Sequence, residues 1–175
     1  MRGAPPTLVF ALRFLTCFAV LMGGFEASRG TAFERFVVVD CILRPTTDLI
    51  QAAAPREQVS LVDRTISTPT SRLHVTRGCE GVEIFLLLVA AVLAYAAPWK
   101  ARLRGLGVGF VLAYLLSVTR LMALHFSLRY APAAWEAVHG LLLPLVPIIV
   151  VMFYFVHWTA SIPAPQSVAD PTRAG

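Results

Sequence analysis

Apolar residues along this chain are gathered into four long runs, and polar residues into one long region between the first and second of them. The first run is Thr7 to Phe25, preceded by Arg2 and interrupted by Arg13. Arg13 is close enough to the start of the run to snorkel toward the near surface, which lowers the cost of a charge in lipid. A cleaved signal peptide is the competing reading, but Phe25-Glu26-Ala27 fits a small-x-small cleavage site poorly, so the run reads as an uncleaved span. Val82 to Trp99 is the second run. As one helix its 18 residues would measure about 27 Å, near the ~30 Å hydrocarbon core. The third is Gly105 to Leu124, broken only by Arg120 near its end. The last is Val138 to Trp158, where Pro144 and Pro147 predict kinks and Tyr154 and Trp158 an interfacial anchor.

The polar region Glu26–Gly78 predicts short elements. Phe33, Phe36, Val37 and Cys41 recur at helical spacing, as in a helix lying on a membrane. Pro45 is expected to end it, with Thr46-Thr47-Asp48 capping a second short helix through Ala54 that Pro55 stops. Val59 to Ile66 is rich in β-branched residues, Thr68-Pro69-Thr70 is turn-like, and Leu73-His74-Val75 alternates with polar neighbours. Together they predict a small β-hairpin that delivers the chain to Cys79. The expected organisation is an N-terminal transmembrane helix over 1–25, an extracytoplasmic insertion over 26–78, a transmembrane bundle over 79–160 and a disordered cytoplasmic tail over 161–175. The fold class is an all-α integral membrane protein with about four transmembrane helices.

Composition agrees with the pattern. The chain is 57% hydrophobic and 14% charged, with mean hydropathy +0.71, against roughly 25% charged in a soluble domain. Net charge is +5 and 14 of the 15 basic residues are Arg, but they are scattered over loops and span ends, which argues against nucleic-acid binding. Three dispersed cysteines exclude a disulfide scaffold and a Cys-rich metal site. Charge also sets orientation. Lys100, Arg102 and Arg104 form a short basic loop and Arg2 precedes the first run, so both are expected on the cytoplasmic side. The insertion then lies outside.

That topology brings Cys79, Arg120 and His139 to the outer ends of three different spans. An imidazole can take a thiol proton, and a helix N-terminus or nearby positive charge favours thiolate. A guanidinium can stabilise the oxyanion of acyl transfer or hold a carbonyl or carboxylate. Each residue also has a plain reading: a packed boundary thiol, a snorkelling anchor and an interfacial imidazole. Spacing leaves both open. His74 and His125 are rival bases near the same face, and Glu83 and Glu136 could orient a partner or simply face the bundle and the solvent. His157 reads as interfacial. A non-enzymatic membrane scaffold with a structural Cys79 is the alternative function. A small transporter is disfavoured because the inner portions of the later spans are apolar.

Arg77-Gly78-Cys79-Glu80-Gly81-Val82-Glu83, the following Leu-Leu-Leu-Val-Ala-Ala-Val-Leu-Ala-Tyr, the Ala97-Pro98-Trp99-Lys100-Ala101-Arg102-Leu103 turn and Ser117-Val118-Thr119-Arg120-Leu121 resemble the exosortase/archaeosortase family, closest to exosortase H. The resemblance covers roughly Thr70 to Trp158. It implies a multi-pass membrane cysteine transpeptidase or protease of the cell inner membrane, without a cofactor or metal. Its partners would be exported proteins carrying a C-terminal sorting signal of the PEP-CTERM-like kind: a short motif, a transmembrane helix and a basic tail. The implied catalytic set is Cys79, Arg120 and His139. Two positions depart from the family's pattern. Glu80 stands where Asn or Ser is usual, and Ser117 where Asn is usual. A carboxylate beside the nucleophile raises a thiol pKa unless it pairs with Arg77 or another cation.

Overall fold

The computed structural model describes residues 5–162. Arg2 and the tail from residue 163, and with them the expectation of a disordered tail, lie outside the described residues. The chain is mostly helical, with one small sheet. Helix α1 (Pro6–Ala27) starts on a proline, whose missing N–H costs nothing in a first turn. It leads into α2 (Ala32–Arg35), a π-helical segment Phe36–Leu43, and α3 (Arg44–Ala53). The sheet is an antiparallel meander of β1 (Ser60–Val62), β2 (Thr65–Ser67) and β3 (Arg72–His74). Then follow α4 (Val82–Ala94), α5 (Trp99–Tyr130), α6 (Trp135–Ala137), a second π-helical segment Val138–Leu142, and α7 (Leu143–Ala160).

Among the described residues three helical stretches are long and apolar enough to cross a membrane: Pro6–Ala27, Trp99–Tyr130 and Trp135–Ala160, of 22, 32 and 26 residues. Their outward faces are apolar, with Leu12 and Leu15 on α1, Phe110, Val111 and Leu115 on α5, and Met152 and Phe153 on α7 all exposed. Contiguous exposed apolar surface of this kind is compatible with a lipid bilayer. The second sequence run differs from its expectation. Helix α4 has 13 residues, about 20 Å, and stops at Ala94 rather than Trp99. Pro98 is the reason: it lacks an N–H and pushes the residue before it out of the helical region. Tyr95 is already extended, and the Arg102 guanidinium donates to its carbonyl at 3.0 Å. The expected basic loop is therefore the first turns of α5, since Lys100, Arg102 and Arg104 all follow its start at Trp99. At its other end α5 runs six residues past Leu124, to Tyr130.

The insertion also corrects the sequence reading. Pro45 does not end a helix. It sits in the first turn of α3, and the chain stays helical from Ala32 to Ala53 because the turns before the proline open to π geometry. Thr46 and Thr47 do not cap; their hydroxyls donate back to the carbonyls of Ile42 and Leu43 at 2.7 and 2.8 Å. The stretch Val59–Ile66 is not one strand. It turns tightly after Val62, with Asp63 at φ +52, a conformation Asp tolerates. Three strands result instead of two, paired Leu61 with Ile66 and Ile66 with Leu73.

Two cores hold the molecule at opposite ends of the bundle. One joins α4, α5 and α7 near Trp158, with Leu88, Val92 and Val151. There Phe10 of α1 meets both Tyr95 and Phe155. Gly105 allows the close crossing, since a β-carbon on it would come 2.5 Å from Trp158 Nε1. The other core lies under the insertion and is built from Val38, Leu43, Ile50, Ile66, Val75, Leu121 and Leu124, with Cys79 at its edge. A polar cluster fastens the insertion to the same end of α5. Buried His125 meets Glu57 Oε2 through Nε2 at 3.0 Å, and the Tyr130 hydroxyl donates to Glu57 Oε1 at 2.7 Å. The hydrogen bond to His125, then that to Tyr130, holds the Glu57 carboxyl below its ordinary value of 4.5. A carboxylate depressed on folding stabilises above its ordinary range, and that contribution is lost as pH falls through the lower folded value. The melting temperature of the native chain is therefore expected to drop more steeply below about pH 4.5 than that of Glu57→Gln; parallel acid limbs would refute the assignment.

Candidate active site

Cys79 lies in the short link between β3 and α4, three residues before the first residue of α4. Two glycines shape the link, Gly78 at φ +82 and Gly81 at φ +83. Both sit in the left-handed region that glycine occupies at no steric cost. Gly81 has a second reason to be glycine. A β-carbon there would lie 2.2 Å from Ser117 Oγ, so the Cys79 link is pressed directly against α5. Ser117 itself donates to the Ala113 carbonyl at 2.9 Å. Its small side chain is what the close crossing requires.

The thiol has two polar neighbours. Thr76 Oγ1 is 3.4 Å from Sγ, and His139 Nε2 is 3.8 Å from it. The Cys79 amide donates to the Thr76 carbonyl at 3.1 Å, which fixes the turn. His139 comes from the π-helical segment ahead of α7, 60 residues away in sequence. Pro144 and Pro147, which remove backbone donors just downstream, account for the loosened helix there. The imidazole lies flat on the Trp135 indole, centroids 5.1 Å apart and planes 8° apart. Trp135 is thus the residue that orients His139, and the sequence reading missed it. The available signal was the i, i+4 spacing. Glu136, the neighbour considered for that role, is exposed.

Arg120 is 8% exposed, and its Nε has no hydrogen-bond partner among the described residues. It follows Ser117 by three positions, hence about one turn further along the same face of α5. Since α4 and α5 run in opposite directions, that turn is level with the residues just before Gly81. No carboxylate pairs with the guanidinium among the described residues. Cys79 and His139 are brought together, while Arg120 stands at the same level without a hydrogen bond to either.

Glu80, the departure from the family's pattern, is 3% exposed and paired. Its partner is Arg64, at the β1–β2 turn, rather than exposed Arg77. Arg64 also holds Glu34 at 2.9 Å. The Gly30 amide, at 2.7 Å from Glu34 Oε2, does most to keep the Glu34 carboxyl below its ordinary range, with Arg64 assisting. Sequence gave no local signal for Arg64, which is 16 residues from Glu80.

The rival bases lie elsewhere. His125 is engaged with Glu57, His74 is exposed and meets Thr65 Oγ1 at 3.0 Å, and His157 is exposed near the end of α7. Glu83 folds back toward the link, its Oε1 3.8 Å from the space a side chain on Gly78 would take. Among the described residues no cluster of three His, Cys, Asp or Glu is placed to hold a metal. Beside the link a half-open apolar groove of about 600 Å³ runs between the insertion and the bundle, lined by Phe36, Cys41 and Ile42 on one side and Gly81, Phe85 and Tyr114 on the other. Compared with protein-family models, with curated proteins and with solved structures, the chain matches none.

Proposed function

We propose that the chain is a membrane-embedded cysteine transpeptidase or protease of the exosortase kind, which cleaves C-terminal sorting signals of exported proteins and transfers or releases them. The observation that carries the reading is the 3.8 Å approach of His139 Nε2 to Cys79 Sγ at one end of a bundle of apolar helices. In this reading four helices cross the cell inner membrane, with short α4 enclosed by the others, and the Cys79 end faces outward. Phe33 and Phe36, both exposed, would then rest in the outer interface.

His139 takes the Cys79 proton. The thiolate adds to the carbonyl carbon of the scissile peptide bond, and Arg120 stabilises the resulting oxyanion. Collapse breaks the C–N bond, and the leaving amine takes the proton from His139. The substrate's own membrane helix departs with that amine, and a thioester remains on Sγ. An amine or water then adds to the thioester carbonyl as His139 accepts its proton; the C–S bond breaks, the new amide or acid leaves, and Sγ takes the proton back from His139. The apolar groove beside Gly81 would seat the apolar residues at the start of the substrate helix. A separation of 3.8 Å is longer than a working hydrogen bond, as is common before substrate closes a site.

The test is cleavage of a co-expressed exported protein ending in a short motif, a hydrophobic span and a basic tail. The native chain is expected to produce the shortened form and Cys79→Ala none. Equal cleavage by Cys79→Ala would remove the reading.

A further inference from the structure

Glu80 places a buried carboxylate directly after the proposed nucleophile, and one of its oxygens, Oε2, has no hydrogen-bond partner among the described residues. An uncompensated carboxylate in that position would oppose thiolate formation on Cys79. The cation that answers it is built into the insertion. Arg64 is pinned at its own backbone, where the Val75 amide donates to its carbonyl at 2.8 Å. Its side chain forks, one terminal nitrogen on Glu80 Oε1 and the other on Glu34 Oε1. It is 23% exposed, so the pair is partly shielded from water. The rigid fork of a planar guanidinium suits it to hold two carboxylates from two elements in this way.

We propose that Arg64 is a positioning residue for Cys79. Acting through Glu80, it neutralises the carboxylate beside the sulfur, with its other arm held by Glu34 of α2. The inference rests on the reading of Cys79 as a nucleophile, but it assigns to the insertion a function that Cys79, Arg120 and His139 do not supply.

The experiment is alkylation of the full-length purified protein by iodoacetamide near neutral pH, with the Cys79 peptide followed by mass spectrometry and melting temperature recorded alongside. Arg64→Gln is expected to slow labelling by roughly tenfold or more, the effect of one charge at short range in a partly buried site. Arg64→Lys, a single point charge, should fall between it and the native chain. The double variant R64Q/E80Q should recover most of the native rate, because the offending carboxylate is gone. Glu80→Gln alone should label at least as fast as the native chain. A simple tether would behave differently, since R64Q/E80Q has no ion pair and would stay as slow as R64Q. That result, native-rate labelling of R64Q, or slow labelling of E80Q would overturn the proposal. The assay needs no sorting signal. A chain that cleaves no tagged protein but shows this labelling pattern keeps the inference and loses the peptidase reading; a chain that cleaves but lacks the pattern does the reverse.

Discussion

Replacing His139 by Ala is expected to lower cleavage of a tagged exported protein by roughly 10²–10⁴-fold, the usual weight of a general base. Melting temperature should barely change. His139 is only partly buried and sits on a loosened π-helical segment, so its ring contributes little to the packed core. What it contributes is a nitrogen 3.8 Å from Sγ. The loss should be in kcat, since in the proposed mechanism the imidazole would handle protons in both half-reactions and take no part in seating the substrate helix. A loss seen only in KM, or rescue of His139→Ala by His125 or His74, would contradict the assignment. His125 is held by Glu57, and His74 points to Thr65.

Gly81→Ala is the second large effect. The substitution meets two costs at once. The backbone is at φ +83, where a side chain is strained by about 1–3 kcal/mol. The added carbon would also lie 2.2 Å from Ser117 Oγ and 3.1 Å from Ser117 Cβ, so α4 and α5 must part. Together these predict a loss of about 2–4 kcal/mol of stability, read as a lower melting temperature, in the range of overpacked core substitutions. Cys79, in the link before α4, and Arg120, one turn past Ser117 on α5, both lie just beyond this crossing, so activity should fall further than stability alone explains. Ser117→Ala in the Gly81→Ala background removes the closest atom and should restore part of the stability. An unchanged melting temperature for Gly81→Ala would show that the crossing is looser than described.

Three of the four long apolar runs announced helices long and apolar enough to cross a membrane, while the second became the shorter α4. The polar insertion and its small sheet were also visible as a switch to β-branched residues. Boundaries were misplaced where proline acts in ways that composition hides. Pro98 stops α4 from running on to Trp99, because it removes a donor and restricts Ala97, whereas Pro45 is absorbed into a first turn behind a π segment. Cys79, Arg120 and His139 could be named because each marks the end of an apolar run. Their companions were missed. Arg64 reaches Glu80 through a turn that splits what looked like one strand, and Trp135 lies outside the four apolar runs, just ahead of the last. A side-chain pair made across 16 residues, as between Arg64 and Glu80, depends on tertiary packing, which periodicity does not encode.

The chain carries its own control for the central claim, that Cys79 is an activated nucleophile and not a packed boundary thiol. Cys41 is more exposed than Cys79, which is 8% exposed. Inert thiols would react in order of exposure, and thiolates react faster than thiols. Relative alkylation rates of the two cysteines, measured in one sample of the full-length protein near neutral pH, therefore separate an enzyme from a membrane scaffold. The account predicts that Cys79 labels at least tenfold faster than Cys41 despite its burial, with most of the difference lost in His139→Ala. Cys41 labelling first, with Cys79 slow and indifferent to His139, would contradict it.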